Sequence, residues 1–525
     1  MVKYNNLVKL IFDFLKKGQF DLNGLLAAKR TFAQNGRTFP KNSQILSVYR
    51  KLVKEKKIST SQEFEKLLRL KKVRSLSGVV PVAVLTKPFP CPGRCIYCPT
   101  QKNIPKSYLD DEPAVMRATL ANFDPYLQVK RRLKQLYTTG HTVEKIELIV
   151  MGGTFTALPK TYQKQFIKRC FDAANNKKSK NLKEAQKINE TAQKRIIGIT
   201  LETRPDGINK KEIKHLRLLG TTRVEIGVQS IFDDVLKKVK RGHKTTVTIK
   251  ATKLLKDAGF KVCYHLMPNL PGSNLKKDRQ MFKKIFNNSN FMPDMVKIYP
   301  CVVTFQAELY NWYKTKKFKP YTDKQLISLL LEIKKIIPPW VRINRLGRDI
   351  PVGNIAAGTK ISNIRQVLAR ELKNQKIQCQ CIRCREIREN NLNNQTIKFN
   401  QINYPASGGE EYFLQYINKR NQLYALLRLR IPSQIFSKTA HFIPELEKAA
   451  IIRELHTYGQ ALAINKTDEN LVQHKGLGKK LLKKAEEITV EKGIKKIAVI
   501  SGIGVRPYYR KLGYYPGGSY MIKDL

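Results

Sequence analysis

Apolar residues recur at three- and four-residue spacing through the first 75 positions, with Leu7, Ile11 and Phe14 on one stripe and Leu46, Tyr49 and Leu52 on another. Lysine and arginine fill the other faces, so this segment is expected to be helical and basic. From residue 78 the period changes. Short β-branched runs predict strands at Val79–Leu85, Lys145–Met151, Arg195–Leu201, Arg223–Val228, Lys261–Met267 and Met295–Tyr299. Amphipathic stretches between them predict helices at Pro125–Tyr137, Tyr162–Ala174, Lys210–Leu219, Val247–Ala258 and Leu275–Phe286. Strand alternating with helix implies parallel βαβ units with right-handed crossovers. Six such units make an α/β fold, an incomplete (β/α)6 barrel with its chemistry at the carboxyl ends of the strands. Polar, turn-rich segments interrupt the order at Lys177–Glu190, read as an insertion, and at Asn390–Asn400, read as a boundary. Beyond it Glu411–Arg430 reads as strands, Leu481–Glu491 as a helix and Ile497–Ser501 as a further strand, which together make a second, smaller α/β domain.

Charge changes the picture more than length does. A chain of 525 residues is too long for one core and implies two to three domains. Lysine and arginine number 99 against 41 aspartates and glutamates, a net charge of +58. Part of that excess is solvated surface; the remainder favours a polyanionic partner. Nucleic acid is expected over membrane, because no apolar run approaches the ~20 residues of a spanning helix. The nine cysteines fall in groups, at 91, 95 and 98 and at 379, 381 and 384, with singles at 170, 263 and 301. Such grouping points to metal ligation in a reducing compartment. Leu7–Phe14 is interrupted by Lys9 and Asp13 and does not read as a signal peptide, so a cytoplasmic location is expected.

Cys91-Pro-Gly-Arg-Cys95-Ile-Tyr-Cys98 is the densest chemistry. Zinc would need a fourth Cys or His close by, and none follows. A 4Fe–4S cluster held by three cysteines leaves one iron open for a small molecule. The spacing, with Tyr97 before the last cysteine, resembles the radical S-adenosylmethionine (SAM) superfamily, in which the open iron chelates SAM and electron transfer cleaves it to a 5′-deoxyadenosyl radical. Met151-Gly152-Gly153-Thr154 ends the second predicted strand. Alone it could be a tight turn; following that triplet, it resembles the glycine motif that holds the SAM amino group. Glu202 and Gln229, at the ends of the third and fourth strands, point polar groups at the same cleft, and Glu202 suits ribose hydroxyls. Cys379, Cys381 and Cys384 read as a structural metal clip, zinc by preference, with a second iron–sulfur cluster as runner-up. Cys301 is the candidate fourth ligand, against the reading that it is a small buried apolar residue. Finally, Gln473-His-Lys-Gly476-Leu477-Gly478-Lys479 precedes an amphipathic helix, where backbone N–H groups make a pyrophosphate site. With Tyr508-Tyr509-Arg-Lys-Leu-Gly-Tyr514 after the next strand, it resembles the acetyl-CoA arrangement of the GNAT acetyltransferases, although single tyrosines are as often core residues.

A radical SAM barrel joined to a GNAT domain, together with Asp124-Pro-Tyr-Leu-Gln128, Leu201-Glu-Thr-Arg-Pro-Asp206, Tyr264-His-Leu-Met-Pro268 and Arg453-Glu-Leu-His456, resembles the family of the Elongator catalytic subunit in its free-standing archaeal or bacterial form. The likeness runs over residues 76–525. It implies a basic tRNA-binding segment at 1–75, the barrel at 76–375, a metal-binding linker at 376–400 and a GNAT domain at 401–525. The implied activity adds a carboxymethyl group to carbon 5 of the tRNA wobble uridine from acetyl-CoA. The partners are then tRNA at its anticodon stem-loop, SAM and acetyl-CoA, with no membrane and with a homodimer left open. By the resemblance Cys91, Cys95 and Cys98 hold the cluster. Acetyl-CoA contacts fall on Lys145, Glu454, Leu455, His456, Thr457, the loop Gly476–Lys479 and Tyr509, with Lys145 and Tyr509 as catalytic candidates. The first two cysteines are closer than in eukaryotic members, and Thr457 stands where many relatives have valine. Two alternatives remain at this point: a lysine acetyltransferase with a non-catalytic barrel, and a non-enzymatic tRNA-binding scaffold.

Overall fold

β-branched residues on one face and charged or small residues on the other give each barrel strand a wall to pack and a wall to leave open. In the computed structural model, which describes residues 5–16, 21–34, 38–70, 77–388, 396–459 and 476–525, the strands are β1 (Val79–Leu85), β2 (Lys145–Met151), β3 (Arg195–Thr203), β4 (Arg223–Gln229), β5 (Lys261–Leu266), β6 (Met295–Ile298) and β7 (Arg342–Leu346). They pair in that order, all parallel, and β1 and β7 remain the two edges, so the barrel is incomplete. Outward residues such as Val80, Val82 and Val84 of β1 and Ile146, Leu148 and Val150 of β2 pack with Leu133, Phe166 and Phe171 of the covering helices. The alternate residues point inward and line a lumen.

Beyond the barrel a strand begins at Ile397, inside the Asn390–Asn400 stretch read as a boundary, and within the barrel region two further elements depart from the expected pattern. β7 was not expected, because its inward positions are Arg342 and Asn344 and only Ile343 is fully buried, so it lacks a β-branched run. The Lys177–Glu190 stretch is not only turn: it holds the helix Leu182–Asn189, capped by Asn181, whose side chain accepts from Glu184 N–H. Leu182 and the buried Ala185 turn toward the core, a face of only two turns set among polar residues.

The second sheet is built from β8 (Ile397–Ala406), β9 (Gly409–Asn418), β10 (Leu423–Ile431), β11 (Ala450–Thr457), β12 (Lys496–Val499), β13 (Tyr515–Gly517) and β14 (Tyr520–Asp524), in the order β8-β9-β10-β11-β12-β14-β13. Only β11 and β12 are parallel, joined through the helix Leu477–Glu491, and they pair only over Ala450–Ile452. Past that point β11 keeps β10 on one side while its other edge, from Arg453 onward, splays away from β12.

This sheet sits under the amino-terminal ends of the barrel strands. Gly502, just after β12, comes so close to β3 that an added β-carbon would fall 1.9 Å from Ile197 O. Charges fill the rest of the junction. Asp294, at the start of β6, meets Arg453 Nη1 at 2.9 Å, Lys256 at 3.3 Å and Arg428 at 3.6 Å. Glu411 of β9 meets Arg453 at 2.7 Å and Arg430 at 3.0 Å. Asp257 accepts from Arg430 at 2.6 Å and from Ser433 Oγ at 2.6 Å. All of these charged side chains are at most 1% exposed.

The basic segment at the start of the chain forms four helices, Asn5–Lys16, Leu22–Gln34, Asn42–Lys54 and Gln62–Leu68, around a small core of Val8, Ile11, Leu46, Tyr49 and Phe64. It docks on the barrel through Arg50, which stacks 3.9 Å from the Tyr137 ring, and Arg69, which donates to Gly140 O at 2.8 Å. The run Lys71–Arg74 lies outside the described residues. Among the described residues no helix is long and apolar enough to cross a membrane.

Removing one partner of a buried ion network strands the others, which costs about 3–5 kcal/mol. Asp294→Ala should lower the unfolding free energy by that order, read from denaturant melts. Burial opposes ionisation of Asp257, but Arg430, Ser433 and Lys253 outweigh it and hold its pKa at about 2. Its stabilising contribution is therefore complete above the ordinary carboxylate range, near ~4, and disappears only as the pH falls toward 2.

Candidate active site

A continuous cavity of about 2050 Å³ follows the inside of the barrel from end to end. At the carboxyl ends of the strands it is lined by Cys91, Cys95, Cys98, Gly153, Thr154, Glu202 and Gln229. Midway it passes Glu147, Glu225, His265 and Lys297. At the amino-terminal ends it reaches Lys145, Lys261 and Arg342, and continues to Glu454, Leu455, His456, Thr457, Gly476, Gly478, Lys479 and Tyr509. Lys145 opens β2 and Met151 closes it. Seven residues of strand span about 20 Å, so the two ends of the cavity are about that far apart.

At the carboxyl end the cysteine loop is pinned by Ile96, whose N–H donates to Val239 O and whose carbonyl accepts from Leu309 N–H. Cys91 Sγ lies 3.5 Å from Thr154 Oγ1, and Arg241 Nη1 donates to Cys95 Sγ at 3.5 Å. Burial and the neighbouring Cys95 push the Cys98 thiol up. Among the described residues four buried polar atoms around the loop have no hydrogen-bond partner: Tyr97 OH, Arg204 Nη1, Arg241 Nε and Gln229 Oε1. Tyr97 OH and the two guanidinium nitrogens are orphaned donors, costly unless something accepts from them, and so fit a bound anionic group; Gln229 Oε1 is an acceptor and calls for a donor. The three sulfur atoms do not all come within 4.8 Å of one another, too far apart for one ion at about 2.3 Å from each. A multi-iron cluster suits that separation. Gly152 and Gly153 take φ of +127° and +94°, and a β-carbon on Gly152 would fall 2.1 Å from Thr86 Oγ1. Gln229 holds φ +67° at the end of β4, a strained position for a residue with a side chain. Glu202 is engaged at both oxygens, accepting from Tyr108 OH at 2.7 Å and from Lys297 Nζ at 3.3 Å. Both partners escaped the sequence reading. Lys297 could have been found from the inward phase of β6; Tyr108 sits in an irregular loop and carries no such signal.

At the other end the splay of β11 exposes the edge carrying Glu454–Thr457. Burial opposes the charge of Glu454, but Lys261 and Arg428 hold its pKa at about 2. Burial lowers His456 to about 4, so its ring is neutral near pH 7. Gly476, with φ +66°, leads into the helix Leu477–Glu491, and a β-carbon on Gly478 would lie 3.4 Å from Tyr508 Oη and 3.8 Å from Thr457 Cγ2. The glycine loop, the β11 edge and the tyrosine pair thus converge. Tyr508, named in the motif without a role, is the tyrosine that faces Gly478; Tyr509 is buried edge-on to it at 5.3 Å. Leu477 turns its side chain into the second core. Gln473–Lys475 lie outside the described residues. Lys145 is half-buried, and burial lowers its pKa.

Cys379, Cys381 and Cys384 bring their sulfur atoms within 4.8 Å of one another, as a single ion would require. Cys301 is not their fourth ligand. It packs beneath the first cysteine loop with Ile96, Val303, Leu309 and Phe318, where burial pushes its thiol up to about 12. Among the described residues no fourth Cys, His, Asp or Glu joins the group, and Lys334 Nζ donates to Cys384 Sγ at 3.4 Å.

Residues 90–285 match the Radical SAM superfamily, and residues 293–374 match the Radical_SAM C-terminal domain. The chain is 48% identical over 501 residues to the tRNA uridine(34) acetyltransferase of Methanocaldococcus infernus, covering 93% of this chain and 92% of that one. It is 37% identical over 546 residues to Elongator complex protein 3 of Bos taurus, covering 100% and 97%. The chain belongs to the Elongator complex protein 3 family. A solved structure of the archaeal Methanocaldococcus infernus Elp3 lacking its N-terminus superposes with a TM-score of 0.74 at 46% identity, over 86% of this chain and all of that one. The radical SAM half-barrel with a further sheet domain is therefore the fold of the family, and the chain is an enzyme of the radical SAM kind. The superfamily's 4Fe–4S cluster and SAM come with that assignment, and the carboxyl end of the lumen is where the donors for them gather.

Cys95→Ala should erase the broad visible absorbance of anaerobically purified protein and bring reductive SAM cleavage to background. Its tRNA affinity should stay within about twofold, because phosphate contacts carry that binding.

Proposed function

We propose that this enzyme adds a carboxymethyl group to carbon 5 of the wobble uridine of tRNA, taking the two carbons from acetyl-CoA. The observation that carries the reading is the single cavity that joins the cysteine loop at one end of the barrel to the β11 splay at the other. The relatives' name supports uridine 34 as the substrate. When bound, the cluster and SAM supply the radical that takes hydrogen from the acetyl methyl group. The chain's own residues do the rest. Cys91, Cys95 and Cys98 hold the cluster; Gly153, Thr154 and Glu202 hold SAM; Gln229 supports the same site.

The domain from 401 to 525 acts as a GNAT-type acetyl-CoA module. Leu455–Thr457, which among the described residues have no strand on the side away from β10, offer that edge to the pantetheine arm. The backbone N–H groups of Gly476–Lys479, at a helix N-terminus, take the pyrophosphate, while Lys145 and Tyr509 line the way inward. The clip at 376–400 holds a structural zinc on Cys379, Cys381 and Cys384. The helices of 1–75 and the +58 charge draw in the tRNA backbone, and an anticodon-loop base, being single-stranded, can be splayed into the barrel mouth. A cytoplasmic location follows from that substrate. A lysine acetyltransferase would use only the second sheet and would leave the orphaned guanidinium atoms of Arg204 and Arg241 beside the cysteines without a purpose.

Reduced enzyme with SAM, acetyl-CoA and unmodified tRNA should yield wobble uridine heavier by one carboxymethyl group on nucleoside mass analysis. Acetylated lysine peptides with unmodified tRNA would overturn the reading. Tyr509→Ala should lower turnover with acetyl-CoA by about tenfold, the size of one lost binding contact, and leave SAM cleavage without acetyl-CoA unchanged. Raising salt from ~50 to ~200 mM should weaken tRNA binding by about 10³ or more.

A further inference from the structure

One layer below the barrel mouth the lumen wall carries a histidine for which the proposed reaction has so far no task. His265 lies on β5, between Gly227 of β4 and Lys297 of β6. Its Nε2 is 2.9 Å from Oε2 of Glu225, a side chain only 1% exposed. Lys297 grips the same carboxylate, and Arg223 Nε stands 3.6 Å from it. Burial opposes the charge of Glu225, but Lys297, His265 and Arg223 outweigh it and keep the group ionised. An ionised carboxylate only accepts hydrogen bonds, so Nε2 carries the hydrogen of the neutral ring and Nδ1 presents a lone pair. Among the described residues Nδ1 has no hydrogen-bond partner, and the ring borders the cavity edge-on to Tyr299 at 5.5 Å. A base oriented by a buried third group, with its free nitrogen facing a substrate channel, is the arrangement that activates nucleophiles.

We propose that His265 is the general base that activates water to cleave the acyl thioester inside the lumen, with Glu225 as its positioning residue. The inference rests on the carboxymethyl reading above. Water attacks the acyl carbon while its proton passes to Nδ1; the C–S bond then breaks, and the departing thiolate takes that proton. Thioester and water become carboxylic acid and thiol, with no change of oxidation state. Position selects His265 over His456, which is also neutral and also borders the cavity. The acetyl methyl must reach the radical at the barrel mouth, and the acyl carbon is one bond away. His265 is two residues below Met267 on the inner face of β5, or about 7 Å from the mouth layer; His456 is at the opposite end. A metal ion on Glu225, Cys263 and His265, whose ligand atoms lie within 4.8 Å, would have to expel the Lys297 ammonium, and burial pushes the Cys263 thiol well up.

His265→Gln and Glu225→Gln test this in the reconstituted full-length enzyme with tRNA. The readouts are free thiol released from acetyl-CoA, acetyl-CoA affinity by calorimetry, and 5′-deoxyadenosine formed. Besides Glu225, Arg223 and Lys297, the titratable groups facing the pair are Cys263 on β5, Glu202 on β3, Tyr299 after β6 and Arg345 on β7. None of these is altered in either variant. His265→Gln should cut thiol release by about 10²-fold or more, with acetyl-CoA affinity within about twofold and 5′-deoxyadenosine still formed. Wild-type thiol release should rise with pH on its acid side, because only the neutral ring accepts a proton. That limb should vanish in His265→Gln; Glu225→Gln, which keeps the ring but loses the ionised acceptor that orients it, should lower thiol release by less than His265→Gln does. Thiol release within about threefold of wild type in His265→Gln, a difference too small for a lost base, overturns the proposal. So does simultaneous loss of acetyl-CoA binding, which marks a structural residue. Wild-type enzyme that binds no acetyl-CoA defeats the carboxymethyl reading itself, and this inference with it.

Discussion

Arg453 reaches from β11 into the underside of the barrel, where Asp294 and Glu411 meet it from two directions. Arg428, Arg430 and Lys256 complete a knot in which each cation answers at least one buried carboxylate. Taking such charges out of water costs several kcal/mol each, and only full pairing compensates. A smooth apolar interface could be as stable, but it would tolerate sliding and rotation; paired ions at 2.7–3.0 Å do not. The consequence lies in the next residues of the chain. Glu454–Thr457 follow Arg453 directly, so the clamp that fastens the two sheets also sets where the splayed edge of β11 opens onto the lumen.

The lumen itself depends on charge. Closed barrels of this kind fill their interiors with layers of branched apolar side chains. Here the inward positions are Glu147 on β2, Arg223 and Glu225 on β4, His265 on β5 and Lys297 on β6. Arg223 pairs with Glu147 at 2.7 Å, and Lys297 lies between Glu202 and Glu225. Long side chains bound to one another along the wall cannot fold across the axis, and the space between them stays open.

That division of faces explains what could be read from the sequence. The outward faces of β1 to β6 are β-branched and pack against helices, so the strands showed at nearly their true limits. β7 carries Arg342 and Asn344 inward and too few apolar residues outward, and it was invisible to any hydrophobic period. The cysteine triplet, the glycine pair and the residues of the β11 edge were legible because their chemistry lies within a few residues of sequence. Tyr108 on Glu202, Glu225 behind His265 and the packing of Cys301 against Ile96 join residues far apart in sequence, through register between strands and a loop with no period of its own.

Strand direction adds a constraint that neither motif carries alone. Lys145 and Met151 share the inner face of β2, yet one belongs to the second-sheet end of the cavity and the other to the cysteine end. If the proposed acyl donor is held at the splay, it must deliver its reactive carbon across about 20 Å of lumen. A compact acyl donor could be held at one end or react at the other, but not both. A thioester on a long, thin, flexible arm meets the requirement, and a lumen with fixed polar walls limits the paths that arm can take.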